Sequence, residues 1–250
     1  MTPRVVLTIA GSDSGGGAGI QADLKTFAAL GVYGVSVVTA VTAQNTTGVT
    51  GVHAVPAEMV GAQLDAVLDD FEVAAVKVGM IPDREVALAV AGRVSRLPNL
   101  VVDPVLVATS GSRLSAVASV RPLLAYPSIL TPNRREAAAL LEASPPTGVA
   151  EMAEALAGLG AGSVVVTGSE SAVDVLHHDG VTTVLDGVPV ETTNNHGSGC
   201  TFSSAIAVRL ALGDEVPVAV RAAKAYVANA LRGGRHWKLG SGPGPLNHFA

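Results

Sequence analysis

The chain has 250 residues, of which 48% are hydrophobic and only 15% charged, with a formal net charge of −5. That length supports a well-buried core, while the acidic balance and 3% aromatic content argue against a nucleic-acid surface, which needs basic patches and stacking faces. A lone cysteine, Cys200, excludes an internal disulfide and fits a reducing compartment; the opening run VVLTIA is too short for a signal core, and no run approaches the roughly 20 apolar residues of a membrane span, so a soluble cytoplasmic protein is expected.

In chain order, RVVLTIA (4–10), VSVVTAVTA (35–43), VAAVKVG (73–79), NLVVDPV (99–105), PSILTPN (127–133) and SVVVTG (163–168) read as strands. They are near-continuous in Val, Ile and Leu, as strands of a parallel sheet covered on both faces must be. Between them, Met59, Val60, Gln63, Leu64, Val67, Leu68 and Phe71 recur at helical spacing. Val86, Val90, Val94 and Leu97 do the same before Pro98, and so do Val149, Met152, Leu156 and Leu159. AVDVLHHDGVTTVLDG, after Gly168, reads as a hairpin turning at Asp179–Gly180. Two closing helices are expected, 199–212 ending at Gly213 and 216–232 ending at Gly233.

This order predicts one α/β domain over 1–250, a mainly parallel sheet with helices on both faces and a small antiparallel edge. Ligands of such sheets sit beyond the carboxyl ends of the strands. The residues to watch are therefore Gly11–Gly19, Gln44–Asn45, Gly79–Met80, Asp103, Thr131–Asn133 and Thr167–Gly168.

Two stretches carry the chemistry. GSDSGGGAGIQADLKTF (11–27) runs from the first strand into a helix, yet it lacks the GK[ST] of a Walker A loop and the spacing of G-x-G-x-x-G. It is either a tight strand-to-helix turn or a loop against which a flat substrate lies. NNHGSGCT (194–201) places Gly197, Ser198, Gly199 and Cys200 at a helix entry, where unpartnered N–H groups and the helix dipole favour an anion. A thiol there is expected to have its pKa lowered; the plainer reading makes Cys200 a small apolar filler.

Together with VTAQNT, VKVGM, DPV, TPN-x-x-E and GPGPLNH, these stretches resemble the hydroxymethylpyrimidine and phosphomethylpyrimidine kinases of thiamine biosynthesis, members of the ribokinase-like superfamily. The resemblance implies a three-layer αβα fold, ATP as phosphoryl donor, Mg²⁺ and a homodimer. It gives the amides of Gly197, Ser198, Gly199 and Cys200 the moving phosphoryl group, and gives the Cys200 thiol the substrate's hydroxymethyl proton. Gln44 would read an aminopyrimidine edge through two hydrogen bonds, with Gly11, Ala18, Asp23, Met80 and Val107 closing the pocket. ATP would lie near Asn133, Thr167 and Gly168, and the metal at Asp103 and Glu136. Asn133 and Glu136 also have the spacing of a capping box, a structural role that can coexist with the metal. Two departures from the family pattern stand out. Thr109 and the Thr167-Gly168-Ser169 stretch replace usual lysine positions, leaving Arg113, Arg134 or Arg135 to supply positive charge. A pyridoxal kinase, a cysteine hydrolase using His196 and Cys200, and a binding protein that has lost catalysis are the competing readings.

Overall fold

The structure is a computed structural model, and it describes residues 2–107, 111, 114–142, 145–168 and 171–250. Thr109, Arg113 and Ser169 lie outside the described residues.

Nine strands form one sheet: β1 Val5–Asp13, β2 Tyr33–Asn45, β3 Gly48–Ala54, β4 Val73–Val78, β5 Leu100–Val102, β6 Ile129–Leu130, β7 Ser163–Val166, β8 Asp174–His178 and β9 Val181–Leu185. Their spatial order is β3-β2-β1-β4-β5-β6-β7-β8-β9. All pairings from β2 through β7 are parallel, whereas β2–β3, β7–β8 and β8–β9 are antiparallel. The hairpin expected at Asp179–Gly180 is present, with both turn residues at positive φ (49° and 73°), as its tight turn requires. A second antiparallel edge, β3, was not expected. Gly48 and Gly51 interrupt it and most of its side chains face solvent, so no apolar alternation marks it. The strands expected at 99–105 and 127–133 shorten to β5 and β6, because DPV and TPN are already loop.

The helices are α1 Gly19–Ala29, α2 Ala57–Asp70, α3 Arg84–Ala91, α4 Val117–Val120, α5 Arg134–Leu141, α6 Val149–Ala157, α7 Ser198–Ala211 and α8 Val216–Gly234. Strand alternation sorts side chains between two layers. Leu7, Ile9, Val76, Val78, Val102 and Val164 pack with Val60, Leu64, Val90 and Leu156 of α2, α3 and α6. Val6, Ala75, Val101 and Val165 pack with Phe27, Phe202, Ile206 and Val220 of α1, α7 and α8. Among the described residues, no helix is long and apolar enough to cross a membrane.

The α1/α7 layer also buries charge. Lys77 and Asp23 form an ion pair with Nζ 2.9 Å from each carboxylate oxygen, and both side chains are fully buried. Thr8 Oγ1 and Ser204 Oγ donate to the same carboxylate at 2.6 and 2.7 Å. Burial alone would depress the Lys77 pKa, but the facing Asp23 carboxylate raises it above its ordinary value, with help from Asp103. This cluster ties β1, α1, β4 and α7 together. Removing one partner strands the other charge in a dry interior, so Asp23→Ala should cost about 3–5 kcal/mol in urea unfolding. The double variant Asp23→Leu/Lys77→Met should recover more than half of that loss. A cost below about 1 kcal/mol for Asp23→Ala would show the pair to be energetically idle.

Candidate active site

The strand order reverses at β1, which lies between β2 and β4. A parallel sheet opens a crevice at such a point, beyond the carboxyl ends of the two strands. Here the glycine loop that follows β1 fills one wall, and Asp13 organises it. Asp13 Oδ1 accepts the N–H of Gly15 at 2.8 Å, and Oδ2 accepts those of Gly17 and Ala18 at 3.0 and 2.9 Å. Oδ2 also lies 2.9 Å from His196 Nε2. Burial pushes the Asp13 pKa up, yet the bonds from His196, Ala18 and Gly15 bring it below the usual carboxylate value.

The loop at 194–201 interlocks with this wall. A Cβ on Gly17 would lie 2.3 Å from His196 Cδ2, so only glycine lets the imidazole approach. Gly197 has φ +86°, and a Cβ there would fall 1.9 Å from the Gly17 carbonyl oxygen. The His196 N–H donates to Gly244 O at 3.0 Å, fastening the same loop to the C-terminal segment.

Gln44, next to the last residue of β2, lies at this crevice and is nearly buried. Its backbone exchanges two bonds with Ser14, 2.9 Å from N–H to Oγ and 2.6 Å from the hydroxyl to the Gln44 carbonyl. Its side-chain amide sits between Thr42 Oγ1 at 3.2 Å and His196 Nε2 at 3.5 Å. Met80 is buried against Gly11, where an added Cβ would lie 2.8 Å from its Sδ. Ala18 sits immediately before α1 with its N–H spent on Asp13, and Val107 is half exposed. Asp23 requires a correction: it does not line the pocket, because its carboxylate is fully buried and held by Lys77, Thr8 and Ser204.

The helix α7 begins at Ser198 with Gly197 as its N-cap, and no side chain caps it. The Ser198 N–H is taken by Asn195 O at 3.1 Å, and the Thr201 N–H by Gly197 O at 2.8 Å. Gly199 and Cys200 are therefore the first-turn amides to offer an anion, and Ser198 is not one of them. The thiol expectation is also overturned. Burial pushes Cys200 up to about 12, and the opposing Lys77 charge and Gly19 amide do not offset it, while Asp23 and Asp103 add to the rise. At rest Cys200 is a neutral thiol.

Asp103 follows β5, with Oδ2 accepting Ser203 Oγ at 3.1 Å and lying 3.8 Å from a Cβ placed on Gly199. Glu136 completes a capping box: its Oε2 accepts the Asn133 N–H at 3.0 Å, while Asn133 Oδ1 accepts the Arg135 and Glu136 amides. Glu136 Oε1 accepts the Leu106 N–H at 3.3 Å. Burial raises both carboxyl pKa values, and Asp103 raises Glu136 further by like-charge repulsion. Thr167 bridges Asn133, and the Gly168 N–H donates to Asp174 Oδ1 at 3.0 Å. Asp174 Oδ2 binds Lys224 Nζ at 2.6 Å, which places a cation beside this stretch. Arg134 is turned away to Thr147 O at 3.1 Å.

Lys77 escapes a reading of the sequence for site residues, and Asp13 enters it only as one position of the Gly11–Gly19 stretch, with no role of its own. Lys77 is a charge inside an apolar strand, and Asp13 stands at the mouth of the glycine run. His196 was weighed only as a partner for a cysteine nucleophile. Its Nε2 is bonded to Asp13, and among the described residues no hydrogen bond joins its ring to Cys200, so the nucleophile–base pair of the hydrolase reading is not formed.

The doubly covered α/β sheet thus brings together a glycine-lined crevice, the uncapped start of α7 and two buried carboxyl groups, an arrangement compatible with phosphoryl transfer. The chain belongs to the phosphomethylpyrimidine kinase family, whose model matches residues 13–247. It is 50% identical to the hydroxymethylpyrimidine/phosphomethylpyrimidine kinase of Rhizobium meliloti (strain 1021), over 98% of this chain and 97% of that relative. Among solved structures it resembles a phosphomethylpyrimidine kinase from Clostridium difficile 630, at 39% identity and TM-score 0.78, covering 91% of this chain and 99% of the other. It also resembles an ADP complex of Bacillus subtilis pyridoxal kinase, at 34% identity and TM-score 0.89, covering 99% and 98%. The chain is thus an enzyme of a kinase family, with a ribokinase-like fold.

The thiol shift can be read directly. Because Cys200 is pushed from an ordinary 9.0 to about 12, its contribution to stability is complete at neutral pH and is lost as pH rises from 9 toward 12. Iodoacetamide alkylation of the native protein should therefore climb through pH 10 without a plateau, whereas the urea-unfolded chain should level off near pH 9–10. A native profile with its midpoint at or below pH 8 would contradict the burial argument.

Proposed function

We propose that the chain transfers the γ-phosphoryl group of ATP to the hydroxymethyl oxygen of 4-amino-5-hydroxymethyl-2-methylpyrimidine, and then to the monophosphate so formed. The observation that carries this reading is a nearly buried Gln44 amide at the switch point, in contact with the histidine that leads into the anion hole. A carboxamide matches the amino group and adjacent ring nitrogen of an aminopyrimidine with one acceptor and one donor, as it does adenine. Gly11 and Met80 would take the ring faces, with Ala18 and Val107 closing the edges.

Transfer through a loose transition state depends mainly on positioning and charge stabilisation. The amides of Gly199 and Cys200 would receive the moving phosphoryl oxygens, with the α7 dipole behind them. Cys200 can take the hydroxyl proton only after losing its own to solvent: the thiolate would accept the hydroxymethyl proton as the oxygen attacks phosphorus and return to the neutral thiol. Lys77, whose charge favours the ionised sulfur, would stabilise that minor thiolate form. Asn133, Thr167 and Gly168 would border the ATP, with Lys224 as a neighbouring cation in place of the missing lysines.

Asp103 and Glu136 fit a Mg²⁺ ion. Two buried carboxyl groups, both raised by burial and one of them, Glu136, raised further by Asp103, form a place where a hard cation relieves repulsion, and Mg²⁺ characteristically takes only one or two carboxylates beside phosphate oxygens. Bound there, the ion would neutralise polyphosphate charge. Among the described residues there is no denser cluster of His, Cys, Asp and Glu. A homodimer is proposed on resemblance, to be checked by light scattering.

Pyridoxal is the second candidate substrate, favoured by the TM-score of 0.89 to a pyridoxal kinase. Mass spectrometry of the pyrimidine and of pyridoxal, each incubated with ATP and Mg²⁺, decides between them. The expected product is the pyrimidine diphosphate; pyridoxal phosphate alone would replace the assignment. Cys200→Ala should slow the first transfer by about 10²-fold, because the hydroxyl must lose a proton. It should affect the second transfer less, because a phosphate oxygen is already ionised. Equal losses in both steps would reduce Cys200 to a member of the anion hole.

A further inference from the structure

The ring orientation of the substrate follows from proton bookkeeping around Gln44. Asp13 accepts four hydrogen bonds: three from backbone amides and the contact with His196 Nε2 at 2.9 Å. Such a carboxylate is an acceptor only, so the proton in that contact belongs to His196, whose Nε2 is a donor. Thr42 has one hydroxyl proton and two acceptors in reach, Ser12 O at 2.9 Å and Gln44 Oε1 at 3.2 Å. With the amide nitrogen toward His196, two donors, Gln44 Nε2 and His196 Nε2–H, face each other at 3.5 Å. Turning the amide over resolves both conflicts. Oε1 then shares the His196 N–H, Nε2 donates to Thr42 Oγ1, and the Thr42 proton goes to Ser12 O.

We propose that the Asp13–His196 pair locks Gln44 with its oxygen on the His196 side, making His196 a specificity-determining positioning residue. The inference rests on the aminopyrimidine reading above. The locked amide shows the pocket an acceptor beside His196 and a donor beside Thr42. An aminopyrimidine must then place its 4-amino group toward His196 and its N3 toward Thr42. The hydroxymethyl group is attached next to the amino-bearing carbon, on the side away from N3. It therefore points past His196, toward Gly199 and Cys200, where the phosphoryl group is received. With the amide reversed, the same ring would send its hydroxymethyl toward Thr42 and Ser12, away from the anion hole. One proton on one imidazole nitrogen thus aligns the nucleophile.

The lock also discriminates between rings. In the 4-oxo analogue, 5-hydroxymethyl-2-methylpyrimidin-4(3H)-one, a carbonyl would face Gln44 Oε1 and an N3–H would face Nε2, a mismatch at both positions.

Two measurements test this. Long-range ¹H–¹⁵N NMR of the histidine rings in the wild-type protein at pH 7.5, with the His196 signals identified by their loss in His196→Phe, should show Nε2 protonated. A bare Nε2 with the proton on Nδ1 would overturn the lock. In kinetics, the wild type should prefer the amino over the oxo ring by at least 10²-fold in kcat/KM. In His196→Phe the amide is free to turn, and that ratio should fall more than tenfold, largely through faster use of the oxo ring. A folded His196→Phe enzyme with an unchanged ratio would refute the proposal, since a merely structural role would slow both rings alike. If the wild type phosphorylates neither pyrimidine, the functional reading fails, while the NMR result still decides the orientation of Gln44.

Discussion

The site depends first on the Asp13 carboxylate. Isolated, a nearly buried carboxylate at a strand end would be costly, and a glycine run after it would be floppy. Together they solve each other's problem. The glycines free three amides to face the carboxylate, and the carboxylate holds the loop in a single conformation. Its remaining contact reaches His196, 183 residues away in sequence, and so fastens the first crossover loop to the entry of α7. Gly17 and Gly197 are the steric conditions for that contact, one admitting the imidazole and the other passing under the Gly17 carbonyl.

A second buried charge arrangement lies one layer deeper. Lys77, Asp23, Thr8 and Ser204 satisfy one another completely, and their net effect on the floor of the pocket is close to neutral. This explains why Cys200 is held as a thiol although it stands at a helix N-terminus. Lys77 lowers its pKa, Asp23 and Asp103 raise it, and burial decides the sign. The helix dipole makes the position welcoming to an anion, which under the proposed function is the phosphoryl group being transferred.

The fold was largely legible in the sequence because a covered parallel sheet writes itself as apolar runs, and β1, β2, β4 and β7 are such runs. The edge strand β3 was not legible, since exposed side chains and two glycines leave no pattern to read. The ends of β5 and β6 were overrun because apolar residues continue into loops that cross the top of the sheet. For the site, the glycines and Cys200 were readable as local motifs. Asp23 was misplaced because a motif gives a position in the chain and not a depth in the fold. Lys77 went unread inside VAAVKVG, where the alternation that turns it toward α1 and α7 is visible only once β4 is paired. The bond between Asp13 and His196 has no local signature at all.

The measurement that bears most directly on this account is a double-mutant cycle between Asp13 and His196, using Asp13→Asn and His196→Phe and reading kcat/KM for the aminopyrimidine under ATP saturation. If one interaction welds the two loops, either substitution alone removes it, and the double variant should be no more than about threefold worse than the poorer single variant. Losses that simply multiply would mean that the two residues act independently, and that something other than their contact holds the glycine loop against the anion hole.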